Sequence, residues 1–445
     1  MVKISVIIPS LNVANYIEEC IVSVLKQDMD DVEVLCIDAG STDGTREILD
    51  RYAESNKNMK VFSSQKKSYG YQVNYGIDKA KGKYITIVEA DDYIAPNMLS
   101  QLYRKAEEYQ ADVVKADHKR FWLDDGGEKK FFNNHLFNGN DKYLYNCCLS
   151  NDALPIYVYM HDSNLWSAVY RKDFVKEKKI RFNESPGAAY QDIGFLQQVR
   201  MLAERTVYID EMLYYYRTDR IESSTNQPGW LRNLYQEYTF LANGDISTTS
   251  EWALYNKNVA TSIAYLFITE LKRSIISTKF VIENTSWVEY YKKMALIVKD
   301  FIDENNIAEY IFPDNLWKEL LLAVYSVESY RDYLKVDHDY NERRKMNFIR
   351  QCQNKSCIIF GCGYRGRKMY DFLNDKHIDV TAFWDNDENK WGNKYQGVSI
   401  KKPESLSIGN DGYVFVISIR GAEKEIIKQL KELNVNENDI YYFDV

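Results

Sequence analysis

Residues 84 to 94 read YITIVEADDYI, an apolar run that ends in a group of carboxylates. Tyr84 to Val88 has the pattern of a buried strand, and Glu89, Asp91 and Asp92 follow it directly. Acids this close together repel one another and cost free energy if they are enclosed. A divalent cation requires oxygen ligands grouped on one side. The stretch therefore predicts either a metal site at the end of a strand or a solvated turn before the next helix.

Strand and helix patterns alternate on both sides of this stretch. Apolar strand patterns cover 3–8, 32–37, 61–62 and 84–88, and helical patterns cover 17–25, the residues around 48–49, and 75–80. This order predicts a parallel sheet covered by helices, in which ligands bind beyond the carboxyl ends of the strands. The residues at the four ends form polar clusters: Pro9, Ser10 and Asn12; Asp38, Gly40 and Ser41; Ser63 and Ser64; Glu89, Asp91 and Asp92.

The pattern changes twice further along the chain, which predicts three domains at 1–225, 226–353 and 354–445. The second region is mainly helical and carries no ligand motif. The third opens with SCIIFGCGYRGRKMYDFL, a strand, a glycine turn and a helix. The turn glycines and an acid about twenty residues on suit a nucleotide pocket; these residues are Gly361, Gly363, Gly366 and Asp385. The same unit could instead serve assembly or acceptor docking.

Composition and charge exclude several classes of protein. The chain has 445 residues, 45% of them hydrophobic and 27% charged, which is typical of a globular protein. A formal net charge of -8 with no basic run argues against nucleic acid as a partner. The seven cysteines form no CxxC pair, and the N-terminal apolar run contains Pro9, so we expect a first strand, reduced thiols and a cytoplasmic location.

Several motifs together resemble family 2 glycosyltransferases of the GT-A fold. ISVIIPSLNVANYIEECIVSVLKQ, IDAGSTDGT and KGKYITIVEADDYIAP resemble the nucleotide-binding half of that family. FNESPGAAYQDIGF and LYYYRTDRIESS resemble its acceptor half. The resemblance covers about residues 1–225 and implies an α/β GT-A domain. The region from 354 onward resembles the Rossmann-like nucleotide-sugar-binding domain of some sugar acyltransferases.

The resemblance assigns a metal role to the acidic stretch. Asp91 occupies the metal-binding position of the family's Asp-x-Asp loop, and Glu89 stands where its first Asp is common. The implied cofactor is Mn²⁺ or Mg²⁺, held against the diphosphate of a nucleotide sugar. Because Glu is longer than Asp by one methylene, Glu89 could reach the ribose or a metal-bound water instead of the ion.

The resemblance also assigns the general base. Asp192, in AYQDIGF, takes the position of the carboxylate that removes the proton from the acceptor hydroxyl in an inverting transfer. The family usually has Glu before it, whereas this chain has Gln191, so we expect a smaller rise of the pKa of Asp192. The alternative is that Asp192 only begins a helix ahead of Phe195.

The donor pocket implied by the resemblance matches the family at some positions and departs at others. Ala39 replaces an Asp that contacts the base in many members, which leaves the nucleobase open, and Val73 replaces a common Arg. Arg217 is either a diphosphate ligand or an exposed salt-bridge residue. The implied donor-binding residues are Pro9, Ser10, Asn12, Asp38, Asn74, Glu89, Ala90, Asp91 and Arg217.

These observations predict an enzyme that adds one sugar, from a UDP-sugar in the first instance, to a glycan, a lipid-linked glycan or a protein. The chain lacks the complete Gln-x-x-Arg-Trp run of processive synthases, and QQVRML is a partial match. Two alternatives stay open: a nicotinamide-dependent sugar oxidoreductase that uses the C-terminal glycine turn, and a non-catalytic partner in a glycosylation complex. The sequence also leaves open a homo-oligomer and a peripheral contact with the inner face of the membrane.

Overall fold

The computed structural model describes residues 1–123, 127–220, 229–243, 257–304, 306–307, 311–406, 412–419 and 422–443. The chain divides into two compact units, 1–329 and 330–445. Each unit has its own sheet, with ten described strands in the first and six in the second.

The first unit contains strands β1 to β10 and helices α1 to α11. The strands are β1 (Ile4–Ser10), β2 (Val32–Asp38), β3 (Met59–Ser63), β4 (Tyr84–Ile87), β5 (Tyr93–Ile94), β6 (Val113–Leu123), β7 (Lys129–Asn134), β8 (Cys148–Leu149), β9 (Ala168–Arg171) and β10 (Thr206–Arg217). The helices are α1 (Ile17–Leu25), α2 (Thr45–Ser55), α3 (Tyr69–Lys79), α4 (Met98–Tyr109), α5 (Ile156–His161), α6 (Lys172–Glu177), α7 (Gln191–Leu202), α8 (Trp230–Asn243), α9 (Lys257–Ser277), α10 (Val288–Asp303) and α11 (Asp314–Tyr325).

The predicted parallel α/β sheet is confirmed in the first unit. Strands β3, β2, β1 and β4 lie side by side in that order and pair in parallel. All seven residues of β1 are buried, because the sheet is covered on both faces. The strand order reverses between β1 and β4, so a crevice opens beyond their carboxyl ends.

Strand β10 brings a distant part of the chain to the same edge. It pairs in parallel with β6 and, near its end, antiparallel with the short β5 that follows the acidic loop. Tyr214 lies opposite Ile94, and Tyr215 lies opposite Tyr93. The residues that end β10 are therefore neighbours of the acidic loop.

The region predicted as helical is helical where it is described. Helix α8 packs against α7, and α9 packs against α5 and α8, so these helices belong to the first unit. Among the described residues, no helix has both the length and the apolar character that a membrane span requires. The predicted boundary at 225/226 lies outside the described residues, and the division into three domains stays a prediction.

The second unit is an open sheet with helices on both faces. Helix α12 (Val327–Gln351) crosses the boundary between the units. The sheet order is β13, β14, β12, β11, β15, β16, in which all pairs are parallel except β13 with β14. The strands are β11 (Ser356–Phe360), β12 (Val380–Trp384), β13 (Lys394–Tyr395), β14 (Val398–Lys401), β15 (Tyr413–Ile417) and β16 (Ile440–Tyr442). The helices α13 (Tyr364–Asp375) and α14 (Glu423–Glu432) pack into separate cores on opposite faces.

Candidate active site

The loops that follow β1 and β2 are tied together by the side chains predicted to bind the donor. The backbone N–H of Asn12 donates to Oγ of Ser41 at 2.9 Å, and the Oδ1 atom of Asn12 accepts from the N–H of Thr42 at 2.9 Å. Asp38 accepts from the Ser41 hydroxyl at 2.5 Å and from the N–H of Gly40 at 3.2 Å. These bonds fix one wall of the crevice, and direct donor contacts of Asn12 and Asp38 stay predictions.

Gln72, on α3, joins the same wall, although no sequence motif indicated it. Its Nε2 donates to the carbonyl of Ser10 at 2.9 Å and to the carbonyl of Ile37 at 2.6 Å. The Gln72 side chain thus joins the C-terminal end of β1 to that of β2, next to the buried residues Pro9 and Ala39. In the sequence, Gln72 is only one amide side chain on a helix, a feature too common to indicate a binding site.

Asn74 lies beside the crevice, with its amide paired to the protein backbone. Its Oδ1 accepts from the N–H of Phe182 at 3.0 Å, and its Nδ2 donates to the Phe182 carbonyl at 2.9 Å. Asn74 therefore joins α3 to the segment that begins FNESPG. A donor contact of Asn74 stays a prediction.

The three carboxyl groups of the acidic loop lie in different environments. Asp92 is 1% exposed and accepts hydrogen bonds from the Tyr214 hydroxyl at 2.8 Å and from the backbone N–H of Arg217 at 2.7 Å. It therefore anchors the loop to β10. Asp91 instead keeps 22% of its side chain exposed. Of the two aspartates, Asp91 is the one available to a ligand in the crevice.

Glu89 is enclosed and accepts a hydrogen bond from the Tyr69 hydroxyl at 2.6 Å. Burial raises the pKa of Glu89 to about 8; the hydrogen bond from Tyr69 opposes the rise, and the charges of Asp91 and Asp192 add to it. A cation in the crevice would favour the ionised form of Glu89. Ala90, between the two acids, is buried.

Two arginines hold the acidic loop. The Nε of Arg217 donates to the carbonyl of Asp91 at 3.0 Å, and its Nη2 pairs with Glu19 at 3.0 Å. Its side chain is only 6% exposed, so the interpretation of Arg217 as an exposed salt-bridge residue is wrong. Arg220, which the sequence analysis did not single out, pairs through Nη1 with the Asp91 carboxylate at 2.9 Å. Residues 221–224, the end of the LYYYRTDRIESS motif, lie outside the described residues.

Asp192 lies in the first turn of α7 and faces the same group of acids. Burial raises the pKa of Asp192 to about 6, against hydrogen bonds from the backbone N–H groups of Asp192 and Ile193. The charge of Asp192 in turn raises the pKa of Glu89 and of Tyr69. Tyr69 also contacts both segments, because its hydroxyl donates to Glu89 at 2.6 Å and its backbone N–H donates to the Gly187 carbonyl at 2.8 Å.

Gln191 organises the loop that precedes Asp192. Its Nε2 donates to the Ser185 hydroxyl at 2.9 Å and to the Gly187 carbonyl at 3.3 Å, and its Oε1 accepts from the N–H of Ala189 at 2.6 Å. A glutamate could not donate to these oxygens. The exchange of Glu for Gln thus has a structural role, and the pKa of Asp192 is set by burial.

A separate cluster of metal-ligand side chains joins β6 to β10. One ligand atom each from Asp117, His135 and Asp210 lies within 4.8 Å of the others. Asp117 already accepts hydrogen bonds from the Tyr145 hydroxyl at 2.6 Å and from the N–H of Leu136 at 3.1 Å, and His135 Nδ1 lies 2.8 Å from Asp117 Oδ2. A cation would have to compete with these bonds, so the geometry favours a hydrogen-bonded network.

The C-terminal glycine turn is braced from inside. Asp385 is 5% exposed; one oxygen accepts from the N–H of Cys362 at 2.8 Å and from Lys390 at 3.1 Å, and the other from the N–H of Asp387 at 2.9 Å. This carboxylate holds the turn, so the expectation that Asp385 reaches a ribose finds no support in the geometry.

The glycines of the turn differ in the space around them. A Cβ atom at Gly366 would lie 1.9 Å from the carbonyl oxygen of Gly361, whereas one at Gly363 would meet nothing within 4 Å. Gly366 is therefore required for the helix to approach the turn. A ligand pocket at Gly363 stays a prediction.

The crevice at the strand reversal combines an acidic loop with two polar loops that are hydrogen-bonded to each other. The buried carboxyl group of Asp192 comes from helix α7, which is distant in sequence. This arrangement defines the class of GT-A glycosyltransferases. The model of the family described as Glycosyl transferase family 2 matches residues 5–149, and that described as C2185-like, N-terminal matches 353–441. The chain belongs to glycosyl transferase family 2.

Two relatives come from Streptococcus pneumoniae. Glycosyltransferase GlyG is 30% identical over 246 residues, which cover 53% of this chain and 78% of the relative. Glycosyltransferase GlyA is 24% identical over 400 residues, which cover 86% of this chain but only 54% of the relative. The crystal structure of Staphylococcus aureus TarS 1-349 in complex with UDP-GlcNAc has a TM-score of 0.57 at 21% identity, and covers 76% of this chain and 92% of that one. The likeness to TarS shows a shared fold.

Proposed function

We propose that this protein is a metal-dependent, inverting glycosyltransferase. It moves one sugar from a nucleoside diphosphate sugar to a hydroxyl group of a glycan, a lipid-linked glycan or a protein in the cytoplasm. The observation that carries the proposal is the link between the acidic loop and the loop before Asp192. The Tyr69 hydroxyl donates to Glu89 at 2.6 Å, and the Tyr69 backbone N–H donates to the Gly187 carbonyl at 2.8 Å. The charge of Asp192 accordingly acts on Glu89. In a direct displacement, the donor-side cation and the acceptor-side base act on the same sugar and must therefore belong to one site.

The donor side uses the crevice between β1 and β4. The loops after β1 and β2 form the nucleoside wall, and TarS, which shares the fold, binds UDP-GlcNAc. A UDP-sugar is therefore the first donor to test. Ala39 offers no carboxylate to the base, so recognition of uracil would depend on backbone groups in this wall.

The cation belongs at Asp91. Its side chain is 22% exposed, and the diphosphate would complete a set of oxygen ligands suited to Mn²⁺ or Mg²⁺. When bound, such an ion neutralises charge on the departing diphosphate. Arg220, which pairs with Asp91 here, would have to release it, and its guanidinium could then meet the diphosphate.

Asp192 acts from the acceptor side. With a pKa of about 6, it is predominantly ionised at neutral pH and still basic enough to accept a proton from a hydroxyl group whose oxygen is attacking the sugar. Attack from the face opposite the leaving group inverts the anomeric carbon.

The experiment combines binding and transfer. Unfolding temperatures are measured with nucleoside diphosphates and UDP-sugars, with and without Mn²⁺, and the anomeric configuration of the product is read by NMR. We expect a ligand shift that needs the cation and no transfer by Asp91→Asn. The control Asp50→Asn, at an acid on α2 whose side chain is 48% exposed, should transfer normally. Full activity in excess EDTA, or a product that retains the donor's configuration, would overturn the proposal.

A further inference from the structure

Two helices of the first unit carry carboxyl groups that are buried beside the turn of Asp192. Glu237 on α8 is 1% exposed, and Glu270 on α9 is 4% exposed. Glutamate is almost never buried this deeply unless it is paired. The helical region carries no ligand motif that would account for the burial of these two carboxyl groups, so their contacts must explain it.

Glu237 connects the two ends of the loop 183–194. Its Oε1 accepts a hydrogen bond from Nδ2 of Asn183 at 2.7 Å, at the start of the loop. Its Oε2 has no hydrogen-bond partner among the described residues and lies against Gly194, in the first turn of α7. A Cβ atom at position 194 would lie 2.4 Å from that oxygen. Glycine at this position is therefore what allows the carboxyl group to approach.

The carboxyl group of Glu237 has no compensating charge in the described part of the chain. Burial raises the pKa of Glu237 to about 8; the hydrogen bond from Asn183 opposes the rise, and the charge of Asp192 adds to it. At neutral pH the side chain is therefore predominantly the neutral acid. Asp192 is the charged group that acts on it.

Glu270 holds the residue just before α7. Tyr190 donates a hydrogen bond to the carboxyl group of Glu270. The backbone of Tyr190 has a φ of 70°, a conformation that residues other than glycine rarely adopt. Nη1 of Arg273 pairs with Oε2 of Glu270 at 3.2 Å, so this carboxylate is compensated where that of Glu237 is not. The turn that presents Asp192 is thus held from both sides by the helical region.

We propose that Glu237 is a positioning residue for sugar transfer: through its contacts with Asn183 and Gly194, it closes the loop 183–194 and holds the first turn of α7, so that Asp192 meets the acceptor hydroxyl. The inference rests on the proposed function of Asp192. It makes helix α8 part of the acceptor side of the enzyme.

Ionisation of Glu237 gives the proposal a specific signature. Above about pH 8, a second negative charge would lie beside Asp192 without a partner. Such a charge must find water or a cation, which requires the loop to open. We therefore expect kcat to fall at alkaline pH. Glu89 is present in the wild type and in every Glu237 variant, so it cannot produce a difference between them.

The test compares Glu237→Gln, Glu237→Ala and the wild-type full-length protein in a Mn²⁺-dependent transfer assay from pH 6 to 9.5. Gln keeps an oxygen for Asn183 and cannot ionise, so we expect it to retain transfer at pH 7 and to lack the alkaline fall in kcat. Ala removes the contact, and we expect kcat to fall by about 10- to 100-fold, the range for a misplaced catalytic group. Binding of the nucleoside diphosphate should not change. Glu289→Ala, an exposed acid on α10, is the matched control.

Two results would overturn the proposal. One is a wild-type kcat in a folded Glu237→Ala variant. The other is a fall in kcat at alkaline pH that is the same in Glu237→Gln and in the wild type. This second result would overturn the proposal even if the Ala variant does not fold. Failure of the underlying function is distinguished by Asp192→Asn: if that variant keeps transfer, Asp192 is not the base, whatever the Glu237 variants do.

Discussion

Replacement of Asp192 by Asn should make the protein more stable and much less active. The pKa of Asp192 rises from 3.8 to about 6 because the carboxylate is buried. The folded state therefore binds this proton more tightly than the unfolded state does. The contribution of Asp192 to the free energy of unfolding accordingly falls as pH rises from 3.8 to about 6 and is constant above that range.

The size of the effect follows from the shift. A rise of this extent corresponds to about 3 kcal/mol of differential free energy. Asparagine is neutral at every pH, so the variant escapes the loss. We expect it to gain up to about 3 kcal/mol at pH 7.5 and almost nothing at pH 4. Transfer should fall by roughly 10²- to 10⁴-fold, the range for removal of a positioned base.

The assay is urea unfolding of the wild type and Asp192→Asn at pH 4 and pH 7.5, followed by transfer kinetics. Asp50→Asn is the control, at an acid whose side chain is 48% exposed. In the wild type, kcat/KM should also decline by about tenfold per unit below pH 6. A variant that is no more stable at pH 7.5 than at pH 4, relative to the wild type, would show that burial does not set this pKa. Loss of nucleotide binding in the same variant would refute the acceptor-side role.

Three further experiments test separate parts of the structure. Arg220→Gln frees Asp91 from a half-buried ion pair worth about 0.5–1 kcal/mol, so calorimetry should show Mn²⁺ binding about two- to fivefold tighter. Weaker binding would show that Arg220 does not compete with the cation for Asp91. Gln191→Glu cannot donate to the loop oxygens and should lower the free energy of unfolding at pH 7.5 by about 1–3 kcal/mol; an unchanged value in urea unfolding would exclude the role assigned to the amide. Gly366→Ala should make the 330–445 unit sensitive to limited proteolysis, because a Cβ atom there meets the Gly361 carbonyl. Gly363→Ala should not, because the space around Gly363 is open. Equal resistance of the two variants would show that the turn is not tight.

The alternation of elements and the acidic loop could be predicted from the sequence. The strands Ile4–Ser10 and Tyr84–Ile87 and the helix Ile17–Leu25 follow from hydrophobic periodicity, which is a local property of the chain. The parallel order then fixes the edge of the sheet where the loops meet. Asp91 at that edge is a consequence of the same pattern.

The partners of the buried polar groups could not be predicted, because each pair joins residues far apart in sequence. The ion pair of Arg220 with Asp91 and the contact of Glu237 with Gly194 depend on how β10 and α8 pack. The pKa of Asp192 likewise depends on its burial.

The sequence by itself thus determined the sheet, its functional edge and the acids placed there, since periodicity and turn chemistry act over a few residues. Only the tertiary structure decided which acid is ionised, which is neutral and which is paired. These states depend on desolvation and on neighbours brought together by packing, and sequence spacing carries no record of either.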